Sequence, residues 1–230
     1  MAQAIATPAR ASGRSAMVQK SIELYGLRAT LADLGVSAIN RAVFLKILKG
    51  VTIERPDPEF LECPEGYRGG FVAEAQLREL GKNFEHLLPK SFLDDALAKG
   101  DECYAIFHSE ELASFGWYST RATRIDPPDL KVSFDPRYAY MYHGFTHPGH
   151  RGKRLHAIGM TQALAYFLSK GYRGLVSYVE SINYASRKST VRMGYSEFGT
   201  IFITRIGGRY VIHHGAGCAP YGFKIQNAAS

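Results

Sequence analysis

The sequence predicts a mixed α/β fold, a mostly antiparallel sheet that contains one parallel pair and is flanked by helices. Three observations lead there. Between Tyr138 and Tyr195 a strand-like run, a basic glycine-containing turn, an amphipathic helix, a second strand and a short helix follow in order; a helix lying between two strands makes a parallel pair with a right-handed crossover the simplest arrangement. On either side of this block, pairs of aromatic and β-branched runs are separated by short turns, the pattern of antiparallel hairpins. Ahead of the first hairpin, apolar residues recur at three- and four-residue spacing, the pattern of helices.

Residues 1–20 hold Ala, Ser, Thr, three cations and no acid, superficially like an organelle transit peptide but without the apolar stretch of a secretory signal. With little to bury, the segment reads as a disordered tail. From Ser21 to Val51 the residues Leu24, Leu27, Leu31, Leu34, Ile39, Val43, Phe44 and Ile47 recur in helical fashion, giving a helical elaboration that matches no motif. Two short helices follow between Phe71 and Gly100, one through Leu77, Leu80, Phe84, Leu87 and Leu88 and one through Phe92, Leu93 and Leu97, separated by Pro89. Glu102–Phe107 and Leu112–Tyr118 form a hairpin about Ser109-Glu110.

Tyr138–Thr146 reads as the central strand, since its aromatic and β-branched residues favour a pleated, half-buried surface. Strict alternation puts Met141, His143 and Phe145 on one face and Tyr140, Tyr142 and Thr146 on the other. In His147-Pro148-Gly149-His150-Arg151-Gly152-Lys153-Arg154, Pro and Gly end the strand and three cations crowd the start of a helix. Free N–H groups and the macrodipole make such a helix start an anion seat. The helix runs from about Lys153 to Lys170 on a stripe of Ala157, Met160, Leu164, Phe167 and Leu168, and Gly171 closes it. Arg173–Val179 is the second strand, followed by Glu180-Ser-Ile-Asn183 and a helix ending at Met193-Gly194, which Asn183 is suited to cap. Gly199–Arg205 and Arg209–His213 make the last hairpin. His213-His214 lacks a third ligand at useful spacing, so no metal is expected.

The chain has 230 residues, 46% of them hydrophobic, enough for one sizeable core. No apolar run approaches the roughly 20 residues needed to cross a bilayer. Cys63, Cys103 and Cys218 are odd in number and far apart, which fits a reducing, cytoplasmic setting. The net charge of +7 is uneven: residues 121–230 carry 15 Lys/Arg against 5 Asp/Glu, whereas residues 54–102 carry 12 acids against 6 bases. The basic half suits a polyanionic ligand, and no recognition motif points to nucleic acid.

These residues resemble the GNAT superfamily of acyl-CoA-dependent N-acyltransferases. Its signature, a strand ending in Val-x-Pro followed by Arg/Gln-x-x-Gly-x-Gly/Ala opening a long helix, is matched by Thr146-His-Pro148 and Arg151-Gly-Lys-Arg-Leu-His156. A second block, Asn-x-x-Ala/Ser with a later Gly-Phe, is matched by Asn183-Tyr-Ala-Ser186 and Gly194-Tyr195. The resemblance covers roughly residues 71–223, which implies a catalytic domain over 71–230 behind the tail (1–20) and the helical elaboration (21–70). It also implies a GNAT-like sheet whose parallel pair borders the cofactor cleft.

The resemblance implies acetyl-CoA, or another acyl-CoA, as co-substrate. It would be held by Phe145, Thr146, Arg151, Gly152, Lys153, Arg154, Leu155, His156, Asn183 and Ser186, with the strand end at Phe145-Thr146 donating an N–H to the oxyanion. Three positions depart from the family pattern. Arg154 and His156 stand where small residues let the backbone approach the diphosphate; an Arg can hold phosphate by charge-assisted bonds instead. Thr190 stands where many members carry the Tyr that protonates the departing thiolate. An alkyl thiol titrates near ~8.5, so its thiolate leaves tolerably without help, and Tyr142, Tyr184 and Tyr140 are other hydroxyls near the strand ends.

Glu180 and His143 are the candidate proton acceptors for an amine nucleophile. The implied reaction is acyl transfer, acetyl in the first instance, to the amine of a small molecule. A longer-chain N-acyltransferase fed by acyl carrier protein, which suits the basic half, and a catalytically silent acyl-CoA-binding module are the alternatives. The sequence leaves monomer and homodimer open.

Overall fold

The computed structural model describes residues 44–228 apart from 128 and 207, together with positions 22, 23, 26–28, 30, 31 and 35. The tail expected over 1–20 lies outside the described residues, as do Leu24, Leu34, Ile39 and Val43 of the helical pattern, although Ile22, Leu27 and Leu31 are helical.

In chain order the elements are β1 (Leu45–Ile53), β2 (Tyr67–Phe71), α1 (Glu74–Asn83), α2 (Lys90–Lys99), β3 (Glu102–His108), β4 (Glu111–Ser119), β5 (Thr123–Ile125), β6 (Leu130–Ser133), β7 (Tyr138–Thr146), α3 (Leu155–Ser169), β8 (Gly174–Glu180), α4 (Tyr184–Arg192), β9 (Ser196–Ile206), β10 (Arg209–His214) and β11 (Lys224–Asn227), with short 3-10 turns at Pro58–Phe60, Pro148–His150 and Ala216–Tyr221. The main sheet has the order β10-β9-β1-β8-β7-β4-β3-β2, and a small second sheet has the order β11-β6-β5. Every adjacent pair is antiparallel except β7 and β8. This is the expected mixed fold with one parallel pair.

The helical expectation fails at 45–53. Those residues form β1, held between β8 and β9, with Val51 and Ile53 in the core on one face and Leu48 in the core on the other. A central strand is apolar on both faces, so its spacing imitates a helix, while Val51, Thr52 and Ile53 fit a pleat and Gly50 weakens a helix. The segment before residue 71 therefore supplies two strands of the main sheet, β1 and β2, the latter paired with β3.

One face of the sheet is covered by α3, whose Leu155, Ile158, Met160, Leu164 and Phe167 pack on Ile106, Tyr118, Ala139, Met141 and Leu175. Each large apolar side chain so buried contributes about 1.5–3 kcal/mol. α3 starts at Leu155, two residues after the expected Lys153, and ends at Lys170-Gly171, where Gly171 takes φ 90°. The opposite face carries two layers side by side. α1, α2 and the connection between them set Leu77, Leu93 and Leu88 against Ala105, Phe115 and Trp117, and the small sheet sets Leu130, Val132 and Ile225 against Leu48, Tyr140, Val176 and Ile203. Among the described residues no helix is long and apolar enough to cross a membrane.

Candidate active site

β7 and β8 are paired only from Tyr138↔Gly174 to Tyr140↔Val176. Past that point the parallel ladder stops; Ser177 Oγ still donates to Met141 O across the gap at 2.8 Å. The two strands part because each is held by its outer neighbour, β7 by β4 and β8 by β1. A cavity of about 370 Å³ opens between them, lined by Met141, Tyr142, His143 and Gly144 of β7, by Ser177 to Glu180 of β8, and by Asn183, Ser186, Ser189 and Thr190 around α4.

The register of β7 on β4 slips inside this gap. Phe115 faces Phe145 and Trp117 faces Tyr142, so His143 and Gly144 oppose the single residue Gly116. His143 takes φ 46° to make this bulge, a conformation that costs a non-glycine residue about 1–2 kcal/mol. The bulge overturns the alternation read from the sequence. Tyr142, His143 and Phe145 share the face toward α1 and α2, where the His143 ring lies 4.7 Å from Phe92 and 5.5 Å from Phe115. Met141 and Gly144 face α3, and a Cβ on Gly144 would come within 2.6 Å of His156 Cε1. The close approach of His156 is why position 144 is glycine.

His143 Nε2–H donates to Leu87 O at 2.7 Å, leaving Nδ1 as the ring's proton-accepting atom. Partial desolvation outweighs that hydrogen bond and lowers the imidazolium pKa below its ordinary value. Glu180 lines the same cavity from the other strand, but its Oε1 is 2.8 Å from Lys46 Nζ, which also reaches Asp126. Burial pulls the Lys46 pKa down, and the hydrogen bonds and charges of Glu180 and Asp126 more than restore it, so the ammonium is held above its usual range.

The other candidate hydroxyls are placed differently. Tyr142 donates its O–H to Asp101 Oδ2 beside Lys99, and burial followed by that carboxylate pushes its pKa far up. Tyr184 is not among the residues around the cavity and lies under the Arg187 guanidinium. Tyr140 is fully buried. Thr190 lines the cavity while its hydroxyl donates to Arg187 O at 2.8 Å within α4. Asn183 Oδ1 accepts from Ser186 N at 3.0 Å, the expected cap.

Sequence reading passed over Tyr195, which served only as a spacing marker. Its hydroxyl is buried with no hydrogen-bond partner among the described residues, and the residue lines the cavity at 7% exposure. Burial raises its pKa. The available signal was the extra hydroxyl at a position where the family carries Phe.

The anion seat lies at the other end of the cleft. Arg154 is the N-cap of α3 at φ 59°, with no side-chain cap, so the N–H groups of Leu155, His156 and Ala157 have no intrahelical acceptor. Position 154 thus keeps the left-handed backbone that glycine would adopt there. Gly152 (φ 83°) has open space around its Cα. Leu155 is buried in the core, so only its backbone reaches the seat. The Arg154 guanidinium pairs with Glu59 and stacks on Phe60 at 5.8 Å, Lys153 Nζ lies 5.2 Å over the Tyr67 ring, and Arg151 Nε leans on Thr146 O at 3.5 Å. A second cavity of about 600 Å³ borders Glu59, Arg154 and Arg192 and shares His156, Ser189 and Met193 with the first. Seat and strand gap are therefore one trough. Phe145 and Thr146 are not among the residues lining the gap; the bulge at His143-Gly144 is what faces it.

Among curated proteins no sequence match is found. Among solved structures the chain is similar to a tandem GNAT protein from the clavulanic acid biosynthesis pathway (16% identity, 73% of this chain and 57% of that one, TM-score 0.51). It is also similar to an acetyltransferase from the GNAT family from Colwellia psychrerythraea (13%, 74% and 56%, TM-score 0.47) and to AAC(6')-Iy in complex with the bisubstrate analogue CoA-S-monomethyl-acetylneamine (15%, 57% and 91%, TM-score 0.46). The chain spans a little over half the length of the first two. The family model described as Acetyltransferase (GNAT) family matches residues 70–195, more than half of the chain. The chain belongs to the GNAT acetyltransferase family.

Proposed function

We propose that this acyltransferase moves an acetyl group from coenzyme A to the amine of a small molecule by direct attack on the thioester. The single observation that carries the reading is the gap between β7 and β8 with its bulge, opening onto an uncapped helix start through a continuous trough. The diphosphate lies on the N–H groups of Leu155, His156 and Ala157, with Arg151, Gly152, Lys153 and Arg154 around it. The pantetheine arm follows His156, Ser189 and Met193 to the strand gap, with the Asn183 amide and Ser186 alongside. At the gap the thioester carbonyl meets backbone N–H at the bulge, in place of the Phe145-Thr146 strand end, because the bulge turns amides out of the ladder.

The acceptor enters from the α1–α2 side, where its ammonium gives a proton to His143 Nδ1. The freed amine attacks the carbonyl, the C–N bond forms, the C–S bond breaks, and the remaining ammonium proton passes from the new amide nitrogen to the departing thiolate, which leaves as the free thiol along the wall that Tyr195 borders. A lowered pKa keeps His143 neutral near pH 7, as a base requires. Glu180, already paired with Lys46, contributes charge toward the incoming ammonium rather than accepting its proton. Tyr142 is committed to Asp101 and serves the packing of the wall. The catalytic unit begins at β1, since the sheet needs that strand between β8 and β9.

Release of free thiol from acetyl-CoA and from a long-chain acyl-CoA, against a panel of amines, tests the reading. Turnover of acetyl-CoA with an amine supports it. Binding of coenzyme A without thiol release, or release from the long-chain donor alone, overturns it.

A further inference from the structure

Just ahead of the phosphate seat, three side chains of metal-ligand type converge outside the acyl-transfer trough. Glu111 opens β4, and His147 and His150 bracket the 3-10 turn Pro148–His150. The ligand atoms of all three lie within 4.8 Å of one another. His150 Nε2 is 3.4 Å from Glu111 Oε2, and His147 Nδ1 is 3.8 Å from Glu111 Oε1. Both contacts are too long for good N–H···O hydrogen bonds, which fall at about 2.7–3.2 Å. They approach the spacing of neighbouring ligands on one cation: at metal–ligand distances of about 2.0–2.2 Å, tetrahedral ligand edges are roughly 3.3–3.6 Å.

The surroundings point the same way. His150 has a side chain only 10% exposed, and its Nδ1 is engaged by Tyr67 OH at 2.9 Å, so the ring is fixed with Nε2 turned to Glu111. An outer hydrogen bond on the second ring nitrogen is the usual support of a metal-bound histidine. Tyr67 is itself held between rings, 4.7 Å from His108 and 5.7 Å from His150. Glu111 and His147 are more exposed, 55% and 36% at their side chains, which leaves an entry path and room for a fourth ligand. His147 Nδ1 also accepts a weak bond from Gly149 N at 3.3 Å, a bond it gives up on ligation.

We propose that Glu111, His147 and His150 form a binding site for a divalent transition-metal ion of the zinc class, supported by Tyr67, which ties the start of β4 to the turn that leads into the phosphate loop. The site is independent of the acyl-transfer reading. Two imidazoles and one carboxylate select such an ion over calcium or magnesium, which prefer all-oxygen sets.

The test uses untagged full-length protein, stripped with chelator and dialysed, then titrated with zinc chloride by calorimetry and with cobalt(II) by visible absorption. One equivalent per chain, an intense four-coordinate cobalt spectrum and a raised Tm support the site. In Glu111→Gln/His147→Asn, whose side chains are exposed enough for the fold to persist, affinity falls at least 100-fold. In Tyr67→Phe, which keeps all three ligands, it falls about 10–100-fold, the loss typical of an outer-shell partner. No zinc uptake at about 100 μM, or undiminished uptake by the double variant, overturns the proposal; the latter would place the ion on other groups such as Cys63.

Discussion

The two ends of the trough are built differently. At the proposed phosphate end every cation stands in solvent: Arg154 and its partner Glu59 are each 62% exposed, and Lys153 and Arg151 rest lightly on Tyr67 and Thr146. At the strand gap the polar groups are held by the fold, with His143 on Leu87 and Glu180 on Lys46, while the Tyr195 hydroxyl is buried with no hydrogen-bond partner among the described residues. Exposed ion pairs are worth roughly 0–1 kcal/mol and are screened by salt, whereas a buried polar group left unpaired costs about 1–3 kcal/mol. The difference assigns adjustable affinity to one end and rigid placement to the other, and each substitution below sharpens that division or breaks it.

The largest effect belongs to His143→Asn, which keeps a side chain of similar reach and removes the proposed base. We expect kcat to fall by about 10²-fold or more with little change in the affinity for coenzyme A. In the parent protein, turnover should fall as pH drops below the usual histidine value of about 6.5, because the lowered pKa keeps His143 neutral above it. Loss of this acid limb in the variant is the decisive reading in a pH-rate profile; retention of the limb would move the base elsewhere, with Glu180 first in line.

Tyr195→Phe comes next and separates stability from function. Removing an unsatisfied buried hydroxyl should raise stability by up to about 1 kcal/mol, and a roughly tenfold fall in kcat alongside it would show that the hydroxyl turns toward the departing thiolate. Denaturant unfolding and thiol release on the same preparation check both. A variant that is less stable with unchanged kcat would make Tyr195 a packing residue.

At the exposed end the effects shrink and one reverses sign. Arg154→Ala should raise KM for acetyl-CoA about three- to tenfold, with the difference fading at high salt. Glu59→Gln should lower KM about two- to threefold, since the carboxylate occupies the guanidinium proposed to meet the phosphates. Steady-state kinetics at two ionic strengths measures both, and a raised KM in Glu59→Gln would mean that the pair orders the seat rather than competing for it.

The same division explains what was legible in the sequence. The phosphate turn, α3, β8 and the Asn183 cap follow local rules, namely glycine placement, helical spacing and side chain to backbone reach, and all are visible in a single stretch of chain. β1 was misread because a strand buried on both faces lacks alternation, and only its partners β8 and β9 decide its state. The orientation of His143 was misread because a one-residue bulge against Gly116 exchanges faces, and nothing in residues 138–146 announces a bulge that belongs to a pair of strands. The seat was thus local and readable, while the strand gap is a product of tertiary pairing.

The smallest effect lies where the two ends meet. His156 sits on the first turn of α3 against Gly144, and burial lowers its pKa. A histidine whose folded pKa is depressed stays neutral in the native state, while the unfolded chain takes up its proton near pH 6.5, so stability is full above that value and declines as pH falls through it. His156→Gln cannot charge, and its Tm should therefore decline less than that of the parent between about pH 6.5 and pH 5, as followed by calorimetry. His143 and His214 are depressed by burial as well, so the slope should shrink without vanishing. If the seat and the gap are coupled through this ring, the substitution also raises KM for acetyl-CoA while leaving kcat within about twofold; a change in kcat alone would place His156 with the rigid end instead.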